Sequence, residues 1–253
     1  MKKYDERDTM FARMSLEYGS VNYNRYYAMR PELKEADDIL RSKPGLLSEG
    51  TATYDPIRGP FADANFSFMN HIMDLSAPKV HAQKVDIDPA NMTNLIKGMI
   101  THYGAGSVGI TKMTDDMYYS HRGRREHYGK VIERDDQHMY GIAFTIPMAI
   151  DLMMCAPGLP EVIEVSNAYL KAAIIGMQIS YYIASLGYGV RNHMDANYLV
   201  VAPRVARMAG LGAFGRQGLI ITPEYGPNVR LGVITTDMPL ELDAPLEFDP
   251  TTF

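Results

Sequence analysis

The chain has 253 residues, 46% of them hydrophobic, and a formal net charge of −5, enough apolar content for a large core in one domain or one domain with an extension. The acidic balance argues against a nucleic-acid surface, which needs a basic face, and no run approaches the about eighteen apolar residues of a membrane span. A single cysteine, Cys155, excludes an internal disulfide framework and a cysteine-rich metal site, and an iron–sulfur cluster, which takes about four thiolates, is not possible on this chain alone.

The opening MKKYDERDTM lacks an apolar signal core and a twin-arginine segment, so a cytoplasmic location is expected. Residues 1–60 are polar, tyrosine-rich and punctuated by Pro31, Pro44, Pro56 and Pro60. They read as an N-terminal extension that wraps the core or a partner subunit, with a helix over 32–41; an aromatic arm of this kind fits a homodimer. Residues 61–253 form the expected main domain. Pro89 suits the first turn of a helix through Met99 and Ile100, and Ser107–Thr111 enters a short strand. The charged stretch 114–136 holds His121, His127 and the cluster Arg122, Arg124 and Arg125, with His138 just beyond. These histidines fit no metal motif, and a solvated, charged surface is expected; the alternative is that Arg122, Arg124 and Arg125 dock an acidic partner or a phosphate. Residues 141–146 (GIAFTI) read as a strand buried on both faces.

Pro160 begins the longest predicted helix, to about Ser185. Its apolar residues repeat at three and four, and Gly187 stands where a helix closes. Cys155, before it, reads as a buried inert thiol. Arg191, His193, Asp195 and Asn197 alternate between the helix end and a strand at 198–202. That concentration of polar groups reads either as a site or as a solvated turn with a His–Asp pair. Pro203 starts a short helix. Eighteen methionines and seventeen tyrosines fit an adaptable core or the lining of a large apolar ligand. Helices and strands alternate, so the class is α/β.

Ala206–Asp237 is the most distinctive stretch. A glycine-studded loop (Gly210, Gly212, Gly215 and Gly218) is followed by a strand at 219–222, a Pro-Glu-Tyr-Gly-Pro turn and a strand at 229–235. The expectation is a stiff hairpin whose loop offers bare amides to a flat ligand. Gly210, Gly212 and Gly215 spell G-x-G-x-x-G, as do Gly104, Gly106 and Gly109. A dinucleotide fingerprint follows a strand and opens a helix, and here the order is reversed.

AGLGAFGRQGLIITPEYGPNVRLGVITTDMPL, at 209–240, closely resembles the corrinoid-binding core of reductive dehalogenases and their relative epoxyqueuosine reductase. The likeness extends less densely through MMCAPG, SLGYGVRNHMDANY and ERDTMFARMSLEYGS. It implies a nitroreductase-like core, a mixed, mainly antiparallel sheet flanked by helices. Cobalamin is the implied cofactor, held by Gly210, Leu211, Gly212, Phe214, Gly215 and Arg216 of the loop and by Thr222, Pro223, Glu224, Tyr225 and Gly226 of the turn.

The implied activity is a cobalamin-dependent reductase of the reductive dehalogenase type, acting on a small-molecule substrate. In that reading Tyr169 donates the proton, Asn197 orients substrate, and His193 or Arg191 tunes Tyr169. Otherwise Tyr169 is a residue of the core face. The family continues past this point into a segment binding two iron–sulfur clusters. Electrons are therefore expected from a missing C-terminal cluster segment or an external ferredoxin-like donor. The alternatives are a non-catalytic corrinoid-binding or trafficking module, an epoxyqueuosine reductase-like enzyme, and a flavin protein on the same core. Ala168 stands where the queuosine enzyme carries an acidic residue, a departure that weighs against that chemistry.

Overall fold

The computed structural model describes residues 3–134 and 137–250, so Asp135 and Asp136 of the charged stretch lie outside it. Helices α1 (Met10–Met14), α2 (Val21–Met29) and α3 (Lys34–Arg41) enclose a small cluster of Leu16, Tyr23, Tyr26 and Tyr27. The phenols of this cluster keep hydrogen bonds, as buried tyrosines generally do: Tyr27 donates to Asp37 and Tyr26 to Asp8, both at 3.0 Å. Backbone amides of the 120–123 loop tie it to the segment. The Ser120 amide donates to the Tyr4 carbonyl at 2.7 Å, and the Gly123 amide donates to the Glu6 carboxylate at 2.7 Å.

Helices α4 (Pro60–Ile72) and α5 (Pro89–His102) come next. Asp88 caps α5 by accepting from the Asn91 amide at 2.8 Å, and Pro89 takes the first helical position, where its missing N–H costs nothing. Strands β1 (Val108–Lys112) and β2 (Tyr140–Pro147) lead through the short α6 (Ile150–Met153) into α7 (Leu159–Ser185). The 27 residues of α7 make it roughly 40 Å long. It ends as its sequence predicts: Gly187 has φ +84° and its amide bonds the Ala184 carbonyl at 3.0 Å. Strand β3 (Val190–His193), helix α8 (Ala202–Met208) and strands β4 (Ala213–Phe214), β5 (Ile220–Ile221) and β6 (Val229–Thr236) complete the order.

The main sheet runs β1-β2-β6-β3 and every pair in it is antiparallel. One face, with Ile110, Ile142, Phe144 and Ile234, packs under α5 and α7; the other, with Ala143 and Val233, packs under α8. β2 is therefore buried on both sides, as its unbroken apolar run predicts. At Gly176 of α7 a side chain would collide with Asn192 of β3, whose amide donates to the Ala173 carbonyl at 3.0 Å. That bond seats the edge strand on the helix. Among the described residues no helix is long and apolar enough to cross a membrane.

Four expectations change. The strand before the Pro-Glu-Tyr-Gly-Pro turn does not pair with the strand after it. β5 pairs with β4 instead, while β6 pairs along its length with β2 and, over Val233–Thr236, with β3. A backbone bridge between Thr222 and Gly226 closes the turn. Residues 190–193, read as loop, form the edge strand β3, while 198–202 contributes just a bridge from Val200 to Tyr118. Cys155 is exposed, in the turn that follows α6. Arg122 in the charged stretch and His138 just beyond it are both buried, at 8% exposure, rather than solvated.

Candidate functional site

Tyr169 lies on α7 facing α4 and the start of β6. Its ring centroid is 6.4 Å from that of Phe66 on α4, and the guanidinium carbon of Arg230 sits 4.4 Å from the same centroid. β6 carries Arg230 opposite Ile146 of β2, on the face that α7 covers. The Tyr169 hydroxyl has no hydrogen-bond partner among the described residues, and neither does the buried Nε of Arg230. Burial raises the Tyr169 pKa; Arg230 and Arg124 pull it down and Asp195 adds to the rise, with a net upward shift. The phenol thus keeps its proton at neutral pH, next to a cation able to receive the charge left when that proton departs.

The 194–199 loop supplies the other wall. Arg124 bridges Glu6 at 3.2 Å and Asp195 at 3.6 Å. Tyr198, in the same electrostatic neighbourhood as Tyr169, Arg124 and Arg230, has its hydroxyl pKa pushed well up by burial and by Asp195. Ala196, with φ +57°, turns this loop back on itself.

The other residues expected around Tyr169 are placed differently. The Asn197 Oδ1 accepts from Arg122 at 3.0 Å and from Arg191 at 2.9 Å, while its Nδ2 donates to Ser76 Oγ at 3.0 Å. Its amide is taken up in tying β3 and the 194–199 loop to the turn after α4, and no hydrogen bond joins it to Tyr169. His193 is 1% exposed. It accepts the Leu199 amide on Nδ1 at 3.2 Å, which leaves Nε2 as the donor to Thr235 Oγ1 at 2.9 Å. It is a neutral core histidine, and Arg191 faces the Asn197 side. The cation beside Tyr169 is Arg230, which the sequence reading passed over; its signal was a lone arginine in the apolar strand VRLGVITT.

The glycine loop is built differently from the surface of bare amides expected of it. The amides of Leu211, Gly215, Gly218, Thr222 and Gly226 bond to carbonyls within or beside the loop, and the Tyr225 amide bonds to Thr222 Oγ1. A side chain at Gly210 would meet the Ala244 carbonyl, and one at Gly212 would meet the Ile221 backbone, so both glycines serve close approach within the protein. The side chains of Leu211 and Thr222 point inward, 4% and 2% exposed; Leu211 packs in the core under α8, and Thr222 closes the turn. What the segment presents outward is Phe214, Arg216, Leu219, Pro223 and Glu224, with Gly226 at φ +56° open to space. Tyr225 packs against Gly106, where a side chain would stand 2.8 Å from its ring. Phe214 and Gly218 also line a cavity of about 460 Å³ with Arg204, Arg207 and Met208. That volume takes a drug-sized molecule.

A corrinoid is a flat apolar macrocycle rimmed by carboxamides. The donors present fit such a group in kind: Arg230 offers unpartnered N–H groups, and exposed Phe214 and Leu219 offer apolar area. Among the described residues no group of three His, Cys, Asp or Glu could hold a metal ion by itself.

An antiparallel sheet between α7 and α8, with a tyrosine–arginine pair where α7 crosses β6, makes an α/β core, and its structural neighbours give it the nitroreductase-like fold. Comparison with known proteins places it further. The tetrachloroethene reductive dehalogenase of Sulfurospirillum multivorans is 29% identical across 66% of this chain and 38% of its own length. The epoxyqueuosine reductase of Salmonella typhimurium is 37% identical across 29% of this chain and 18% of its own. Among solved structures, the catabolic reductive dehalogenase NpRdhA in complex with 3-bromo-4-hydroxybenzoic acid matches with a TM-score of 0.67 at 25% identity, over 76% of this chain and 28% of that one. A reductive dehalogenase whose structure suggests a mechanism for B12-dependent dehalogenation matches with a TM-score of 0.73 at 22% identity, over 98% of this chain and 32% of that one. No family model matches. The relatives and structural neighbours are reductive dehalogenases and epoxyqueuosine reductase, as the glycine-loop motif implies. The chain spans well under half the length of the curated relatives it matches.

Proposed function

We propose that this chain forms the substrate-reducing, corrinoid-binding core of a reductase of the reductive dehalogenase type. The observation that carries the reading is Tyr169, a phenol with a raised pKa held against Arg230, where neither the hydroxyl nor the guanidinium has a hydrogen-bond or ion-pair partner among the described residues. Reductive removal of a halogen puts two electrons and a proton into the substrate and releases halide. A bound corrinoid would supply the electrons through reduced cobalt. Tyr169 holds the proton for the substrate carbon. Arg230 stabilises the phenolate that remains, with Arg124 contributing from across the loop. Phe66 and the other apolar neighbours of Tyr169 pack against its ring and leave the hydroxyl open to an incoming substrate.

The outer face of the 214–226 segment, with Phe214, Arg216, Leu219, Pro223 and Glu224, is the surface we assign to the corrinoid. Gly210, Leu211, Gly212 and Thr222 shape that surface from beneath. Electrons come from a ferredoxin-like protein or from a cluster-bearing segment, since the single cysteine holds no cluster. The substrate is a small halogenated molecule.

Visible-spectrum titrations with cobalamin and, separately, flavin mononucleotide test the cofactor. Binding of cobalamin is expected; binding of flavin alone would overturn the assignment. Halide release from halogenated phenols, with a chemical reductant and cobalamin-loaded protein, tests turnover and separates the reductase from a module that only carries corrinoid.

A further inference from the structure

A second polar cavity, of about 410 Å³, opens between the turn after α4, the 122–127 loop and β3. Arg122 and Arg191 line its inner side and Arg125 its rim, with Asp74 and Glu126 also exposed at the rim. Buried guanidinium groups are ordinarily paired with carboxylates, because an unpaired charge out of water is costly. Here neither Arg122 nor Arg191 forms an ion pair with any described residue; the shared Oδ1 of Asn197 receives one bond from each. A guanidinium carries five N–H donors. The Nε atoms of both arginines are buried without a partner, although Arg122 is only 8% exposed. The nearest buried acid, Glu6, is already engaged by the Gly123 amide and Arg124. Arg125 donates to the neutral Asn70. Burial, with repulsion from Arg122, lowers the pKa of Arg191 to about 10; burial also lowers that of Arg122, with Arg124 and Arg125 adding to the fall and Glu6 and Glu126 opposing it. The cluster is therefore under electrostatic stress that an anion would relieve.

We propose that this cavity is an oxyanion-binding site, in which Arg122, Arg191 and Arg125 hold the phosphate or carboxylate group of a small molecule. Planar N–H pairs match two oxygens of such a group at once, and the volume admits a ring or sugar beyond the anion. The inference stands apart from the corrinoid reading, since it uses neither Tyr169 nor the glycine loop.

Calorimetric titration of the full chain, without cofactor, with inorganic phosphate and separately with benzoate tests it, against sodium chloride at equal ionic strength. Saturable binding of either anion is expected, and the tighter of the two names the class of headgroup. Arg191→Gln should weaken that binding by roughly 10-fold or more, the worth of a charge-assisted hydrogen bond. Arg125→Ala, at an exposed position, gives a second reading if the buried variant does not fold, and it too should bind more weakly. Heats equal to those of chloride for both anions, or unchanged binding in the folded variants, would overturn the proposal.

Discussion

The guanidinium carbon of Arg230 stands 4.4 Å from the centre of the Tyr169 ring, a contact that joins the long helix α7 to the central strand β6. Burial alone would make this phenol a reluctant acid, and its pKa is indeed raised. The arginine opposes that rise. A proton donor needs both properties: the proton present at neutral pH, and the anion tolerated once it has gone. Tyr169→Phe should therefore lower turnover of halogenated phenols by about 10²-fold or more, with cobalamin binding retained. Because the hydroxyl has no partner to orphan, stability should change by less than about 1 kcal/mol. Wild-type rates in this variant would remove Tyr169 from the chemistry.

Arg230→Gln separates the two properties. Without the cation, the Tyr169 pKa moves further up and the phenolate loses its stabilisation, so the rate should drop about 10-fold or more. Arg230→Lys should recover part of it. The alkaline limb of the pH–rate profile reports the same group. Activity persists through the ordinary phenol pKa near about 10 and falls only above it, since the protonated form is the active one and its pKa is raised. A limb below that range would assign the titration to some other group.

Much of the fold was legible because its signals are local. Pro160 and Gly187 bracket α7, Pro89 starts α5, and the apolar run of β2 announces a strand covered on both sides. What could not be read was partnership. Val190-Arg-Asn-His193 looked like loop because its polar residues find their partners far away in sequence, Asn192 on Ala173 and His193 on Thr235. The turn at 223–227 carries residues suited to a hairpin, yet sequence does not record that β5 finds its partner in β4, on the near side of the loop. The same limit hid Arg230. Tyr169 stood out by its place in a recognisable helix, whereas its cation came from a strand 61 positions on (230 − 169) and only the fold brings them together.

The corrinoid surface proposed on 214–226 makes a distinguishable prediction. Phe214 is 36% exposed and its backbone, not its ring, pairs with Ile220. Phe214→Ser should leave the melting temperature within a degree or two of wild type, as surface substitutions usually do, and weaken cobalamin binding about 5-fold or more through lost apolar contact. Leu211→Ala is the contrasting variant. Leu211 is buried, so its loss should cost about 2–5 kcal/mol of stability. Equal cobalamin affinity in Phe214→Ser and wild type would move the cofactor away from this face.

His193 gives the chain an acid limit independent of any cofactor. Burial pushes its pKa well below the usual histidine value, with Arg191, His138 and Arg122 acting in the same direction. The unfolded chain binds a proton near about pH 6.5, while the folded chain refuses it, because Nδ1 already accepts the Leu199 amide. Stability is thus fully present above the unfolded value and is lost as pH falls from there toward the lower folded value. Chemical denaturation followed from pH 8 to pH 5 should show this decline, with proton uptake on unfolding. His193→Gln should be less stable at pH 8, since at least one buried hydrogen bond is lost, by about 1–3 kcal/mol. It should also lose less stability on acidification, because the titrating group is gone. A variant with the wild-type slope would assign the acid sensitivity to another histidine.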